Sequence, residues 1–470
     1  MFYSREALSI ALKLLLLPSR RSTMQEPIIS VSGLRGILGL SLSPETISRY
    51  VSAFVEQLPE GSILLSRDGR PSGWALGDIV KGTINLLGRD VIDVGVAATP
   101  TVGILVRENR CTGGIQISAS HNPPEYNGIK LMGADGRVIS AEKGAQVKAA
   151  YKDQPITWAP WDEIGSTTAC VDTTTAHIEK ILATITAIPI LDKKFKVLLD
   201  SNGGSGSIVG VKLLEKLGCE VEVLGGEPNG VFLHPAEPTE ANLKSISELV
   251  AQGKYDIAFC QDPDADRLAV IDEKGRYIGE EYTVALCLQN VLAKHKGAVV
   301  INGATSRMNE DVALSFKCPI FRSAVGEANV TQEMLLRDAV FGGEGNGGPI
   351  DPQVGYIRDS FVGMANILEL MAKKKKSIGK LADALPRYEI VKHKVDLDPE
   401  ALPSGFDRLK HQYADAMLDE GDGLRFTWKD RWLIARASNT EPIVRVIAES
   451  KSFDQSEDMC IAATRTLRGV

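Results

Sequence analysis

One order of sequence signals occurs three times along this chain. Each copy begins with a short aliphatic run that ends in a polar or glycine-rich loop, and a helix-like stretch and a second apolar run follow. The three opening runs are residues 62–65, 196–199 and 298–301. Strands that alternate with helices form mainly parallel sheets with helices on both faces. The pattern therefore predicts three copies of one α/β unit.

Each copy also contains a later apolar run that ends in an unusual loop. These loops are residues 118–123 (SASHNP), 262–267 (DPDADR) and 342–348 (GGEGNGG). The first two also share a hairpin-like pattern immediately behind them. In sheets of this kind, ligands bind beyond the carboxyl ends of the strands. We therefore expect the three loops to face one cleft.

The chain divides into four predicted domains. Their predicted bounds are 24–160 for domain I, 176–276 for domain II, 277–378 for domain III and 388–470 for domain IV. Domain IV is a smaller α+β segment, for which we predict a strand near 390–395, a helix near 404–419 and a hairpin around 424–434. The predicted fold class is thus α/β, with three related α/β/α domains and a smaller α+β C-terminal domain.

Residues 1–23 differ in character from the rest of the chain. Their apolar run, 7–17, is interrupted by Lys13 and is too short to span a bilayer. It also lacks the small-residue cleavage pattern of a secretory signal. We expect these residues to be a leader or a mispredicted start, with Met24 as the true beginning.

Composition and charge exclude several classes of function. With 44% hydrophobic and 24% charged residues, the 470-residue chain resembles ordinary soluble proteins with several cores. A net charge of -7 argues against nucleic-acid or anionic-membrane binding, although it permits a local basic pocket for a small anion. The seven cysteines are scattered without CxxC pairs, which is typical of a reduced, cytoplasmic protein.

The loop 118–123 places a hydroxyl, an imidazole and an amide on one sharp turn. Ser120, His121 and Asn122 precede Pro123, which prevents the chain from continuing as a helix. Such a loop can display a nucleophile. It can equally be a turn rich in serine and asparagine, since these residues favour turns without any chemistry.

The loop 262–267 carries carboxylates at alternate positions, Asp262, Asp264 and Asp266. Three such oxygens can converge on a hard divalent cation, and without one they would repel each other. An EF-hand is excluded because Arg267 occupies the sixth position, where that loop requires glycine. The remaining alternatives are a solvated acidic turn and a Mg²⁺ site.

Two further loops carry groups suited to a phosphorylated sugar. On the glycine-rich loop, Glu344 and Asn346 suit vicinal hydroxyls, and the lysine and hydroxyl of a GxxxxGK[ST] phosphate loop are absent. Near the C-terminus, guanidinium, hydroxyl and amide groups that can surround a phosphate dianion are supplied by Arg436, Ser438, Asn439, Thr440 and Arg445. Each loop taken alone is also compatible with an ordinary surface turn.

With these four loops in order, residues 24–470 resemble the α-D-phosphohexomutase family. The resemblance implies four domains around a central cleft, with Ser120 as the residue that carries a phosphoryl group. It implies a Mg²⁺ site formed by Asp262, Asp264 and Asp266 with the phosphate on Ser120. It also places Glu344 and Asn346 at the sugar, and it identifies the phosphate-binding set as Arg436, Ser438, Asn439, Thr440 and Arg445. Further active-site residues that it implies are Arg35, His121, Lys130 and Arg267.

Two departures from the family pattern bear on the substrate. The acidic loop is commonly DGDGDR, and here Pro263 and Ala265 replace glycines while every ligand is retained. The sugar loop is commonly GE-x-SGH, and here Asn346 replaces the serine and Gly348 the histidine. From the resemblance we expect glucosamine phosphate as the leading substrate, with glucose and mannose phosphates as alternatives.

The resemblance implies interconversion of hexose 6-phosphate and hexose 1-phosphate through a hexose 1,6-bisphosphate. Proton transfer to and from the sugar hydroxyl remains open between Lys130, Arg35 and His121. The rival classes are a metal-dependent phosphatase and a non-catalytic sugar-phosphate binding protein. A serine-hydrolase triad is less compatible, because the chain lacks a GxSxG elbow and His121 adjoins Ser120. The oligomeric state is not predicted.

Overall fold

The computed structural model describes residues 25–30, 33–437 and 443–469. Within these ranges the strands form four sheets of seven, four, four and five strands. The predicted leader, 1–23, lies outside the described residues. No helix in the described part of the chain is long and apolar enough to cross a membrane.

The first sheet contains seven strands in the order β1-β2-β6-β5-β3-β4-β7. Its strands are β1 (Ile28–Ser30), β2 (Gly33–Ile37), β3 (Ile63–Arg67), β4 (Val91–Val96), β5 (Gly113–Ile117), β6 (Tyr126–Gly133) and β7 (Thr167–Ala169). The accompanying helices are α1 (Pro44–Val55), α2 (Gly73–Leu86), α3 (Thr99–Glu108) and α4 (Ala141–Asp153). Strand β3 is parallel to β4 and β5, whereas β6 is antiparallel to β5, so the sheet is mixed.

The second and third sheets each have four strands and correspond to the four central strands of the first sheet. The second unit consists of β8 (Lys196–Asp200), β9 (Glu220–Leu224), β10 (Ile257–Gln261) and β11 (Leu268–Asp272), with α5 (Thr175–Thr184), α6 (Ile188–Lys193), α7 (Ser207–Lys216) and α8 (Lys244–Gly253). The third consists of β12 (Val299–Asn302), β13 (Ile320–Ser323), β14 (Phe341–Glu344) and β15 (Gly348–Ile350), with α9 (Glu280–Lys294), α10 (Met308–Ser315), α11 (Glu327–Arg337), α12 (Ser360–Lys374) and α13 (Ile378–Ala382).

The three units share one strand order, which confirms the predicted threefold pattern. The orders β6-β5-β3-β4, β11-β10-β8-β9 and β15-β14-β12-β13 coincide when the strands are matched by position. In each unit the last two strands form an antiparallel hairpin. The first two unusual loops lie in the connections of these hairpins. The third, predicted as 342–348, is shorter, because residues 342–344 complete β14 and Gly348 begins β15, so residues 345–347 alone connect the strands. Equivalent points of the fold therefore carry all three.

The C-terminal unit is a five-stranded antiparallel sheet in the order β16-β20-β19-β18-β17. Its elements are β16 (Glu389–Asp396), a 3-10 turn (Pro399–Ala401), α14 (Leu402–Gln412), β17 (Met417–Asp419), β18 (Leu424–Thr427), β19 (Trp432–Ala437), β20 (Ile443–Ser450) and α15 (Phe453–Arg468). The helix predicted near 404–419 ends at Gln412 instead, because Met417–Asp419 pairs with β18 as a strand. The fold class is confirmed: three related α/β/α units and a smaller α+β unit.

Candidate active site

The serine loop, residues 118–123, follows β5 and holds Ser120 in a left-handed conformation. Ser120 has φ 50° and is 1% exposed. Its N–H donates to Ser118 Oγ (2.9 Å), and the Ser118 hydroxyl donates to Asp68 Oδ2 (2.7 Å). A non-glycine residue rarely adopts this backbone conformation unless the surroundings determine it. Here the Ser118 hydroxyl helps to fix the conformation of Ser120 by accepting its backbone N–H.

Arg70, from the loop after β3, stabilises the same turn through hydrogen bonds to its backbone. Its guanidinium donates to four backbone carbonyls, those of Ser120 (2.7 Å), Asn122 (2.7 Å), Pro123 (2.6 Å) and Tyr126 (3.1 Å). Its Nε also pairs with Asp68 Oδ2 at 3.1 Å, and both side chains are fully buried. The sequence marks this region only as a polar loop, so the role of Arg70 in shaping the site was missed.

We expect Arg70→Lys to disorder the serine loop. A lysine ammonium is a point charge and cannot serve four carbonyls that a planar guanidinium reaches together. Misplacement of a reacting group by about 1 Å costs roughly 100-fold in rate, so kcat/KM falls by about that factor. Arg89→Lys is the matched control, because Arg89 donates to the carbonyls of Pro59 and Gly61 away from this loop. Equal kinetic losses in both variants would contradict the assignment.

The acidic loop, residues 262–267, brings its three aspartates together. One carboxylate oxygen from each of Asp262, Asp264 and Asp266 lies within 4.8 Å of the others, and all three side chains are buried. Burial and the neighbouring Asp264 and Asp266 raise the pKa of Asp262. The loop connects two strands, β10 and β11, which agrees with the exclusion of an EF-hand.

This donor set fits a hard divalent cation. The Oδ1 atoms of Asp264 and Asp266 are buried and have no hydrogen-bond partner within the described structure. Buried carboxylate oxygens without a partner are costly, and a cation would satisfy them. Ser120 Oγ lies 2.7 Å from Asp262 Oδ2 and donates to it, so the serine loop reaches the same point.

Besides Ser120, two groups from the first unit contact the acidic loop directly. Lys130, on β6, donates to Asp264 Oδ2 and to Asp266 Oδ2, the latter at 3.1 Å. Thr99, at the start of α3, donates to Asp264 Oδ2 at 2.5 Å. Burial alone lowers the pKa of Lys130, but Asp264 and Asp266 together raise it above its usual value. Lys130 is therefore held as a cation.

The remaining predicted groups around Ser120 also lie close by. His121 Nδ1 is 3.4 Å from Ser120 Oγ, and Arg35 donates to Asn122 Oδ1 at 3.0 Å. The charge of Arg267, followed by burial and by Arg35, lowers the pKa of His121 to about 2. The His121 imidazole is therefore neutral. Arg267 itself lies 3.9 Å from Asp266 Oδ1.

The glycine loop, residues 342–348, presents Glu344 in a fixed orientation. Glu344 Oε1 accepts from Asn302 Nδ2 (2.7 Å) and from Gly326 N (3.0 Å), and Oε2 accepts from Arg358 (2.8 Å). Asn346 Oδ1 is buried without a hydrogen-bond partner in the described ranges. Arg358 also donates to Asp266, and no local sequence motif marked it.

The C-terminal loop is described only at its edges. Ser438, Asn439 and Thr440 lie outside the described residues. Arg436 on β19 and Arg445 on β20 are directly opposite each other in the antiparallel register, which places both side chains on one face of the sheet. Arg436 Nε pairs with Asp422 Oδ2 at 3.2 Å. The same carboxylate oxygen accepts from Val325 N at 2.8 Å, which joins this region to the third unit.

The Glu281 carboxylate, at the start of α9, lies against the glycine loop. Glu281 accepts from Ser306 N at 2.9 Å, and its Oε1 would lie 2.0 Å from a Cβ added at Gly345. Burial raises the pKa of Glu281 from 4.5 to about 8. The folded protein therefore binds more protons here than the unfolded chain between these two pH values. This stabilising contribution is complete below about pH 4.5 and is lost as the pH rises through about 8.

We expect Glu281→Gln to remove this pH dependence. At about pH 8.5 the variant should melt about 2 °C or more above wild type, because a neutral amide replaces a buried charge. At about pH 4 the two proteins should melt alike, since the wild-type carboxyl is then largely protonated in both the folded and the unfolded state. Glu163→Gln, at an exposed carboxylate, should show no such difference. Thermal unfolding at both pH values checks this, and an equal offset at both would contradict it.

Four models of one protein family match the chain in succession. They are described as the phosphoglucomutase/phosphomannomutase alpha/beta/alpha domains I, II and III and the C-terminal domain, and they match residues 27–155, 175–275, 280–388 and 393–464. Together they cover most of the chain.

Individual relatives agree with these matches. A phosphoglucomutase/phosphomannomutase from Thermococcus kodakarensis is 35% identical over 91% of this chain and 95% of that protein. A probable phosphoglucosamine mutase from Methanopyrus kandleri is 31% identical over 91% and 95%. The fold matches a crystal structure of a family protein from Burkholderia thailandensis with a TM-score of 0.81 at 24% identity, covering 94% of this chain and 98% of that one. The chain therefore belongs to the phosphoglucomutase/phosphomannomutase family.

Proposed function

We propose that this protein is a phosphohexomutase that interconverts hexose 6-phosphates and hexose 1-phosphates, with Ser120 carrying the phosphoryl group between turnovers. The observation that carries the proposal is the contact of Ser120 Oγ with Asp262 at 2.7 Å. It places a buried hydroxyl against the acidic loop, and Asp266 of that loop is bridged to Glu344 of the glycine loop by Arg358. Family membership supports the same reaction.

In the proposed reaction, phosphorylated Ser120 donates its phosphoryl group to a free sugar hydroxyl. The bond between phosphorus and Ser120 Oγ breaks and a bond between phosphorus and the sugar oxygen forms. The proton of the sugar hydroxyl is transferred to Ser120 Oγ, so the step is balanced. The resulting hexose 1,6-bisphosphate returns its other phosphoryl group to Ser120 in the second half of the cycle. Transfer of this kind depends mainly on positioning and on stabilisation of charge.

The acidic loop would hold Mg²⁺ through Asp262, Asp264 and Asp266, together with the phosphate on Ser120. When bound, Mg²⁺ would offset the charge of the phosphoserine, about -1.5 to -2 at neutral pH. Lys130 adds a fixed positive charge beside the same loop. Arg267 and burial lower the pKa of His121, and its Nδ1 lies 3.4 Å from Ser120 Oγ. We assign His121 and Arg35 to orientation of the serine loop and its phosphoryl group.

Two further groups of residues would bind the sugar phosphate. Glu344 and Asn346 would contact hydroxyls that are usable in either orientation of the sugar. The phosphate that is not reacting would be bound by Arg436, Ser438, Asn439, Thr440 and Arg445. Arg436 and Arg445 lie directly opposite each other on β19 and β20, so two cations flank the loop between these strands. This supports the proposal that both arginines bind the phosphate.

The substrate is tested by coupled assays of glucosamine, glucose and mannose phosphates with a trace of the matching 1,6-bisphosphate. We propose glucosamine phosphate as the main substrate, supported by the relative from Methanopyrus kandleri. The highest kcat/KM on glucose or mannose phosphate would reassign the sugar and leave the reaction class intact. Faster release of inorganic phosphate than isomerisation would refute the mutase and favour a phosphatase.

A further inference from the structure

A buried arginine outside the proposed chemistry lies between the acidic loop and the glycine loop. Arg358 donates through NH1 to Glu344 Oε2 (2.8 Å) and through NH2 to Asp266 Oδ2 (2.6 Å). Its side chain is only 10% exposed. The two acceptors belong to hairpins of different sheets, so one guanidinium joins the second unit to the third.

The surroundings of Arg358 fix it in place before any ligand binds. Glu327, at the start of α11, accepts the Arg358 backbone N–H (2.6 Å) and lies 3.7 Å from its Nε. The next residue, Asp359, caps α12 by accepting from Phe361 N (2.9 Å) and Val362 N (3.2 Å). Both the side chain and the adjoining backbone are thus anchored, which preorganises the guanidinium.

The two contacts of Arg358 determine how each carboxylate is presented. Asn302 and Gly326 hold Glu344 Oε1, and Arg358 holds Oε2. Lys130 and Arg358 hold Asp266 Oδ2, which leaves Oδ1 buried without a hydrogen-bond partner in the described structure, 3.9 Å from Arg267. The orientation of both groups therefore depends on one fork-shaped side chain.

We propose that Arg358 is a positioning residue that aligns sugar recognition at Glu344 with phosphoryl transfer beside Asp266. The inference rests on the proposed function. Arg358→Lys separates geometry from charge, because a lysine keeps the positive charge but cannot join two carboxylates in the planar geometry of a guanidinium. The variant should retain the fold and lose the alignment.

The test is a double-mutant cycle with Arg358→Lys, Glu344→Gln and both changes together. Each single change should lower kcat/KM by roughly 30-fold or more, as expected when a buried charge pair loses one partner. The double variant should lose little more than Arg358→Lys alone, because the contact between Arg358 and Glu344 is already broken in that variant. Losses that multiply, or a wild-type kcat/KM in Arg358→Lys, would overturn the inference.

Binding gives a second readout that does not depend on turnover. In a Ser120→Ala background, Arg358→Lys should weaken the binding of hexose 6-phosphate by about 10-fold in calorimetry, because Glu344 is no longer fixed. Arg408→Lys is the matched control, since Arg408 donates to the carbonyls of Thr466 and Leu467 in the C-terminal unit. An unchanged Kd in the Arg358 variant would contradict the inference.

Two further outcomes are distinguishable. If Arg358→Lys does not fold, Glu327→Gln replaces it, because that change removes the carboxyl that faces Arg358 Nε and should raise the same Kd by a smaller factor. An unchanged Kd there would overturn the inference. Absence of mutase activity in the wild-type protein would refute the proposed function, whereas an active wild type with an unaffected Arg358 variant would refute only the role of Arg358.

Discussion

Ser120→Ala is expected to lower the mutase kcat by a factor on the order of 10⁴ or more, because it removes the atom that carries the phosphoryl group. The change is otherwise small. Alanine keeps the same Cβ, so the left-handed backbone at φ 50° is no more strained than in wild type. Circular dichroism and thermal unfolding should therefore resemble those of wild type, and the loss should be confined to kcat.

Ser118→Ala is the matched control for this prediction. Ser118 lies two residues away, and its hydroxyl accepts the Ser120 N–H and donates to Asp68. Its removal breaks two buried hydrogen bonds, each worth about 1 kcal/mol, and should reduce kcat/KM by no more than about 30-fold. A Ser118 variant as inactive as the Ser120 variant would show that loop geometry, rather than the Ser120 hydroxyl, limits the reaction.

Lys130→Met should have the second-largest effect. Lys130 lies between Asp264 and Asp266, and its loss leaves two buried carboxylates short of a positive charge. Removal of one partner from a buried ion pair costs ~3 kcal/mol or more. We expect a lower free energy of unfolding and a roughly 100-fold or greater loss of kcat/KM, since a fixed charge beside the phosphoryl group is lost. Chemical denaturation and steady-state kinetics measure the two effects.

Two comparisons test whether the losses expected in Lys130→Met come from its position beside the acidic loop. Lys81→Met removes a lysine that pairs at 3.0 Å with Asp78 and Asp93 on a more exposed surface, and it should cost less than about 1 kcal/mol. Excess Mn²⁺ should restore more stability to Lys130→Met than to wild type, because a cation bound by the acidic loop replaces the missing charge. Equal stabilisation of both proteins by Mn²⁺ would contradict a shared electrostatic site.

Much of the fold could be predicted because its signals are local. The order of strand, loop and helix repeats in the sequence, and the three hairpin loops fall at equivalent points of three similar sheets. The candidate site residues that the sequence predicts share this property. Ser120 and the three aspartates stand in short hairpin loops, and Glu344 ends β14 beside the third. The residue types of each stretch suggest chemistry without reference to the rest of the chain.

The residues that were missed act across long separations. Arg70 bonds the carbonyl of a residue 50 positions later, and Arg358 bonds Asp266 from 92 positions away. Neither stands in a distinctive motif, because a single buried arginine is recognisable only by the carbonyls and carboxylates that the fold assembles around it. The end of α14 was wrong for a related reason: pairing between β17 and β18 overrides the local helical pattern.

The central claim, that Ser120 carries the phosphoryl group, is tested most directly by phosphopeptide mapping. The wild-type protein is incubated with hexose 1,6-bisphosphate, separated from it, and digested, and a second sample is then treated with excess hexose 6-phosphate. We predict phosphate on Ser120 in the first sample and its transfer to the sugar in the second. A fully active enzyme that carries no phosphate on Ser120, or one phosphorylated only at another residue, would contradict the claim.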